Sequence, residues 1–260
     1  MHKLETYLEA KKLYSNGYNK VQISKKLNIP RGTINDWLLE RTDLKKNSLL
    51  EFNPQNYIIS NNLQYEYSYV LGLYLGDGYI CKTSRTYKLR IGLDIKYNNI
   101  NNLINNKLQV LFPKNKVYKL KIKNKIKSKF TMIELSVHSN LLPFLFPQIG
   151  KGKKHDRSIE LTQWQFEILD TKWFVMGLFH SDGCYYFNKK NNTYCYSFSN
   201  LSKQIIDLFQ ESLNILQINS FITKTLVNNK IKYQVVVGSK RDVKKLFHIL
   251  GDKNTLPNNM

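Results

Sequence analysis

Val70-Leu71-Gly72-Leu73-Tyr74-Leu75-Gly76-Asp77-Gly78 decides how this chain is read, because it returns as Val175-Met176-Gly177-Leu178-Phe179-His180-Ser181-Asp182-Gly183. The copies match at five of nine positions and lie 105 residues apart. Each is an apolar run closed by a small residue, an aspartate and a glycine. Periodicity alone does not separate a buried helix from a buried strand here. The residues upstream do, since Gln64-Tyr65-Glu66-Tyr67-Ser68-Tyr69 carries the segment past strand length, and Gly78 stands where a helix stops. Each copy is expected to be a helix ending at its aspartate.

Gly72 and Gly76, and likewise Gly177 and Ser181, are four residues apart, so each helix has a strip almost bare of side chain. Such strips let two helix backbones come close. The aspartates fall at helix C-termini, where the macrodipole disfavours a carboxylate by roughly 0.3–1 kcal/mol. Packing along the strips would bring the two carboxylates together, which is worse. A divalent cation relieves both problems. One Asp-Gly pair is an ordinary turn dipeptide; two in the same apolar setting are not explained that way. The apolar run is far short of the roughly 20 residues a membrane span needs.

Both stretches resemble the LAGLIDADG motif of homing endonucleases, with Asp77 and Asp182 at its acidic position. Leu75 and His180 stand where the eponymous motif has a second Asp. The resemblance implies an α+β fold of two pseudo-symmetric αββαββα units that form a β-saddle around the packed motif helices. It implies a site-specific double-strand DNA endonuclease using Mg²⁺ or Mn²⁺, with no small-molecule cofactor and with one chain acting as a pseudo-dimeric monomer. Two further readings stay open on the same scaffold: a DNA-binding regulator that has lost cutting, and an RNA maturase assisting intron splicing.

The 260 residues suffice for one or two domains with real cores. A net charge of +21 with 13% aromatic residues suits a nucleic-acid partner, although the Asn, Lys and Ile content also suggests an AT-rich coding genome that inflates lysine. Cys81, Cys184 and Cys195 form no C-x-x-C pair, which argues against a disulfide scaffold or zinc site. No secretory h-region opens the chain. An intracellular, cytoplasmic protein without a membrane partner is expected.

Residues 1–44 read as a small all-α domain. Leu4, Tyr7, Leu8, Ala10 and Leu13 form a helical stripe, and two short helices follow around a turn at Asn28-Ile29-Pro30 with Ile23, Leu27, Ile29, Ile34, Trp37 and Leu38 as core. This is similar to the helix-turn-helix of resolvases and many regulators. That docking mode would aim Arg31, Thr33 and Asn35 at duplex DNA. Residues 45–64 are polar and read as a linker.

The first unit, 65–150, contains a strand from Tyr87 to Lys96 with Lys88 and Arg90 on its outer face, and a strand from Val117 to Lys123. Alternation there is expected to place Tyr118, Leu120 and Ile122 inward and Lys119, Lys121 and Lys123 outward. Lys125 lies at the tip of the following hairpin. An inter-repeat segment, 151–170, precedes a second unit of the same element order, 171–260. Lys88, Arg90, Lys119, Lys121, Lys125, Lys224 and Lys232 are the expected DNA contacts, mostly to phosphate.

For the chemistry, Mg²⁺ favours one or two carboxylates with waters and phosphate oxygens. Asp77 and Asp182 are the expected ligands, joined by helix-end carbonyls at Gly76 and Ser181. In the family a lysine near the end of each unit reaches the active site. Lys153, with Lys151 close behind, and Lys253 are the matching candidates.

Overall fold

The computed structural model describes residues 4–39, 52–123 and 129–255. They belong to two compact units, residues 1–53 and 54–260. In the first, α1 (Leu4–Ser15), α2 (Lys20–Leu27) and α3 (Arg31–Leu38) enclose Tyr7, Ala10, Leu13, Ile23, Ile29, Ile34 and Trp37. Leu8, expected in the stripe, is exposed. Asn19 starts α2 with a reciprocal capping box to Gln22, satisfying helix-end N–H groups on both sides. Asn28 ends it in the left-handed conformation at φ 52°, which Asn tolerates, and Pro30 precedes α3.

The second unit opens with α4 (Pro54–Ser60), in the segment expected to be a linker. Ile58 is buried, the Tyr57 hydroxyl donates to Leu111 O at 3.0 Å, and Gln55 reaches Glu167 at 2.8 Å. Polar composition had hidden a helix whose one buried face is narrow. Then α5 (Gln64–Leu75), β1 (Tyr79–Lys82), β2 (Tyr87–Asp94), α6 (Asn98–Leu111), β3 (Val117–Lys123), β4 (Phe130–Ser139) and α7 (Leu142–Leu145) form the first half. After a 3₁₀ turn at Lys154–Asp156 and the short helix α8 (Gln163–Ile168), the order repeats. The second half has α9 (Thr171–Asp182), β5 (Gly183–Asn188), β6 (Thr193–Asn200), α10 (Lys203–Ile215), β7 (Phe221–Val227), β8 (Lys230–Val237) and α11 (Lys240–Leu250). Two antiparallel sheets result, ordered β1-β2-β4-β3 and β5-β6-β8-β7.

The core lies where α5 meets α9. A Cβ added at Gly72 would sit 2.4 Å from Phe174 O, and one at Gly177 would sit 2.2 Å from Tyr69 O. Both obstacles are backbone, so only glycine permits this approach. Asp170 caps α9 by accepting from Trp173 N at 3.0 Å, and its own N–H donates to the Ser68 hydroxyl of α5 at 2.9 Å. A buried polar chain also ties the inter-repeat segment to α5: Gln148 to Gln165 at 2.6 Å, and Gln165 to the Tyr67 hydroxyl at 2.7 Å.

Each sheet turns one face to the helices and the other away from them. On the first, Leu89, Ile91 and Leu93 pair with Val137, Leu135 and Ile133 on the helix side. Lys119 pairs with Leu135 and Lys121 with Ile133, so both lysines share that helix side rather than the saddle face. Tyr118 and Leu120, expected inward, are exposed on the saddle face opposite Ser136 and Glu134. Lys224 of the second sheet is likewise on the helix side, paired with Tyr233 and 5.8 Å from its ring centre, whereas Lys232 pairs with Thr225 on the saddle face. The reason is that β3 and β7 are edge strands. Alternation along a strand says that two faces exist, but not which one the core takes.

Candidate functional site

The paired helices deliver their two aspartates to one end of the bundle, by different routes. α9 runs through Asp182 itself, with Gly183 as cap. α5 stops at Leu75, two residues short of Asp77, which lies exposed in the turn that follows. Gly76 lets the tips meet: a Cβ there would lie 1.9 Å from Ser181 Oγ and 3.5 Å from Asp182 Oδ2.

Asp182 is largely buried, and Asn200 Nδ2 donates to its Oδ2 at 3.0 Å. Burial and then the negative charge of Asp77 push its carboxyl up to about 6, against opposing pulls from Asn200, Lys154 and Lys253. Burial is the larger cause, and the charge of Asp77 adds to it.

Two lysines close the helix ends. Lys154 Nζ donates to the carbonyls of Tyr74, Leu75 (3.1 Å) and Gly76 (2.7 Å), and Lys253 Nζ donates to Ser181 O at 2.9 Å. An ammonium at a helix C-terminus meets both the orphan carbonyls and the negative pole. Burial pulls Lys154 down to about 8, against the upward pull of Asp182 and then Asp77. Lys253 is lowered too, by burial first. Lys253 is the lysine expected in the second half. In the first half the position belongs to Lys154, while Lys153 is exposed beside it on the cleft wall and Lys151 is exposed. A run of Lys151, Lys153 and Lys154 gave no register; the 3₁₀ turn beginning at Lys154 supplies it. The carbonyls of Gly76 and Ser181, expected as cation donors, each accept a hydrogen bond from a lysine.

His180 explains how the second motif dispenses with an acidic residue there. Its ring is buried between the helices, Nδ1 is 2.8 Å from the Tyr69 hydroxyl, and burial with the Lys253 charge pulls its pKa down to about 3. It is a neutral pin between α5 and α9. Its Nε2 has no hydrogen-bond partner among the described residues. Three groups escaped the sequence reading. Asn200 and Arg157 line the cleft of about 900 Å³ that holds Asp182 and Lys154. The third, Glu134, is buried on the saddle face and binds Arg90 Nε at 2.9 Å and Lys88 Nζ at 3.3 Å. A glutamate in a strand of alternating pattern looks like any solvated position; only its register opposite Gly92 sets it between two cations.

Of the remaining expected contacts, Arg31 is exposed at the start of α3, Thr33 is half-buried, and Asn35 Oδ1 accepts from Lys20 Nζ at 2.7 Å. Lys125 lies outside the described residues. Cys81, Cys184 and Cys195 are free thiols, and among the described residues no helix is long and apolar enough to cross a membrane.

Residues 171–251 match the LAGLIDADG-like domain family, and residues 66–133 match the WhiA LAGLIDADG-like domain. No curated protein sequence matches the chain. Among solved structures it is similar to the homing endonuclease I-DmoI. The complex with DNA and Mn is 22% identical over 73% of this chain and 97% of that one, with a TM-score of 0.50. The complex with DNA and Ca is 24% identical over 76% and 95%, with the same TM-score. At these identities the likeness is one of fold. With a LAGLIDADG-like domain in each half and the homing-endonuclease fold around them, this chain is a two-motif LAGLIDADG protein.

Proposed function

We propose that the chain is a divalent-metal-dependent endonuclease that cuts both strands of duplex DNA at a specific site. The observation that carries this is the convergence of Asp77 and Asp182 at the tips of α5 and α9, with a lysine against each tip. The site's chemistry fits a hard cation: two carboxylates, one of them raised in pKa by burial and then by the charge of the other, leave coordination positions for waters and phosphate oxygens, as Mg²⁺ prefers. Asp77 and Asp182 would hold it. Bound there, a divalent ion activates water and neutralises charge on a phosphodiester.

The chain's own residues do the rest. Asn200 fixes the orientation of Asp182 by donating to Oδ2, leaving the other oxygen to ligate. Lys154 and Lys253 place positive charge beside the position a scissile phosphate would take, where charge grows in the transition state. The saddle faces, with Arg90, Lys88, Lys232, Gln234 and Ser199, would seat the duplex. Arg31, Thr33 and Asn35 of the first unit would add contacts in the major groove.

A second reading is favoured by one observation, the match of residues 66–133 to the WhiA LAGLIDADG-like domain: a protein that binds DNA through this fold without cutting. Incubating the purified chain with a duplex library, with and without Mg²⁺, separates the two. Double-strand breaks at one sequence are expected only with the metal. Asp77→Asn and Asp182→Asn are each expected to lower the rate about a thousandfold or more, the several kcal/mol a bound metal supplies. Sequence-specific retention of duplex without breaks would overturn the nuclease reading and leave the regulator.

A further inference from the structure

On the second sheet, Tyr185, Phe187 and Tyr194 turn to the helix side, away from the saddle. Tyr185 is paired with buried Tyr196, and Phe187 with Tyr194. They form a continuous aromatic surface with Phe247 of α11. Tyr185 stacks on Tyr194 with centroids 5.2 Å apart and planes at 12°, Phe187 meets Tyr194 edge-on at 5.1 Å, and Tyr185 meets Phe247 at 5.6 Å. A protein that needed these rings only for its core would bury them, yet Phe187, Tyr194 and Phe247 are 43%, 50% and 38% exposed. They border an open groove of about 650 Å³. Lys240 and Lys244 stand over it, exposed and one helical turn apart on α11, and no carboxylate among the described residues lines it.

Among the described residues the first half has nothing like it. Its matching hairpin puts Ile80 opposite Leu89 and Lys82 opposite Tyr87, and the four-residue α7 stands where the second half has the eleven-residue α11. The pseudo-symmetric duplex cradle therefore does not require this surface. Aromatic faces accept any nucleobase by stacking, and neighbouring lysines hold the backbone phosphates. We propose that this corner is a second nucleic-acid site, for a single strand, separate from the saddle and independent of metal and of the nuclease reading.

The test is fluorescence anisotropy of the full-length chain with labelled single strands of about ten nucleotides, the span one such platform covers. One probe is thymidine DNA and the other uridine RNA; the tighter of the two assigns the natural source. Both are measured with excess unlabelled duplex present. The probe should stay bound under the duplex. Tyr194→Leu, which keeps the apolar contact but removes the ring, should weaken it about tenfold. Joint Lys240→Gln and Lys244→Gln should lower the slope of log affinity on log salt by about 1.4, two single-strand phosphate contacts. Duplex binding by both variants should equal that of the unaltered chain. Complete displacement by duplex, or single-strand binding unchanged in both variants, overturns the proposal. All three altered side chains are exposed, so misfolding does not cloud the result.

Discussion

The two helix tips began as the same nine-residue pattern and arrive at different chemistry. At the α5 tip, Asp77 sits beyond the helix in a turn, exposed, and Lys154 binds three successive carbonyls of that tip. At the α9 tip, Asp182 is the last helical residue, largely buried and fixed by Asn200, with a lysine on one carbonyl. One carboxylate is given to solvent and the other is buried, and burial, with the charge of Asp77 added, raises Asp182. Near-symmetry in the backbone thus supports asymmetry in the electrostatics.

The close approach that creates both tips is the easiest part to break. Gly72→Ala places a methyl 2.4 Å from Phe174 O and 2.8 Å from Leu178 N, backbone atoms of a packed helix that have nowhere to go. A loss of about 3 kcal/mol or more is expected by denaturant titration, at the upper end of overpacking. Gly76→Ala meets mainly the Ser181 side chain, and should cost less. Pairing it with Ser181→Gly should recover much of the loss; failure to recover would mean that backbone also blocks that position.

Next comes the lysine pair. Lys154→Met removes an ammonium from three carbonyls, Lys253→Met from one. Cleavage is expected to fall about a hundredfold for Lys154, in the range for loss of one preorganised donor, and less for Lys253. Single-turnover rates on the two strands, measured separately, would show whether each lysine serves one strand. Equal losses from both variants would remove the asymmetry between the two tips.

Acidity sharpens the same contrast. Cation binding at Asp182 requires its carboxylate, so affinity for Mn²⁺ should climb about tenfold per pH unit below 6 and level off above. Cleavage should fall again past about 8, as Lys154 gives up its proton. Stability without metal runs the other way. Asp182's folded pKa lies above its unfolded 3.8, so the folded state binds a proton the unfolded state has released. Stability therefore falls as pH rises from 3.8 to 6. Asp182→Asn should raise the metal-free melting temperature at pH 7 and leave it unchanged at pH 3, by calorimetry; Asp77→Asn, at an exposed position, should raise it less.

The repeated motif carried the fold, because a bare strip on two apolar helices has few packing solutions. It carried the two aspartates as well, since their place at helix ends follows from where the pattern stops. Strand faces were not legible on β3 and β7. The lysines of β3 alternate cleanly and β7 has only Lys224, but an edge strand can turn charge to either side. Lys154 was not legible for a related reason: adjacent lysines differ only in backbone direction, which the 3₁₀ turn decides. Neither Glu134 nor Asn200 had any sequence signal, because each acts through a partner on another strand or helix.

Glu134 allows the smallest and most specific break between the halves. On the first saddle face it holds Lys88 and Arg90; burial pushes its carboxyl up, but the hydrogen bond and charge of Arg90, then Lys88, outweigh that and keep it ionised below the usual range. On the second face Lys232 lies beside Thr225 with no acidic neighbour across the strand pair. Lys88 and Arg90 of the first face are thus committed to a carboxylate, as Lys230 of the second is to Asp156, whereas Lys232 has no ion pair among the described residues. Glu134→Gln keeps the shape and releases both cations to phosphate. Duplex affinity should rise about three- to tenfold, and its salt dependence should steepen by one to two phosphate contacts, about 0.9 each. Lys232→Gln should do the reverse, by one contact. If Glu134→Gln weakens duplex binding instead, the carboxylate's role is to aim Arg90 at a base edge, and the first face reads sequence where the second only holds the backbone.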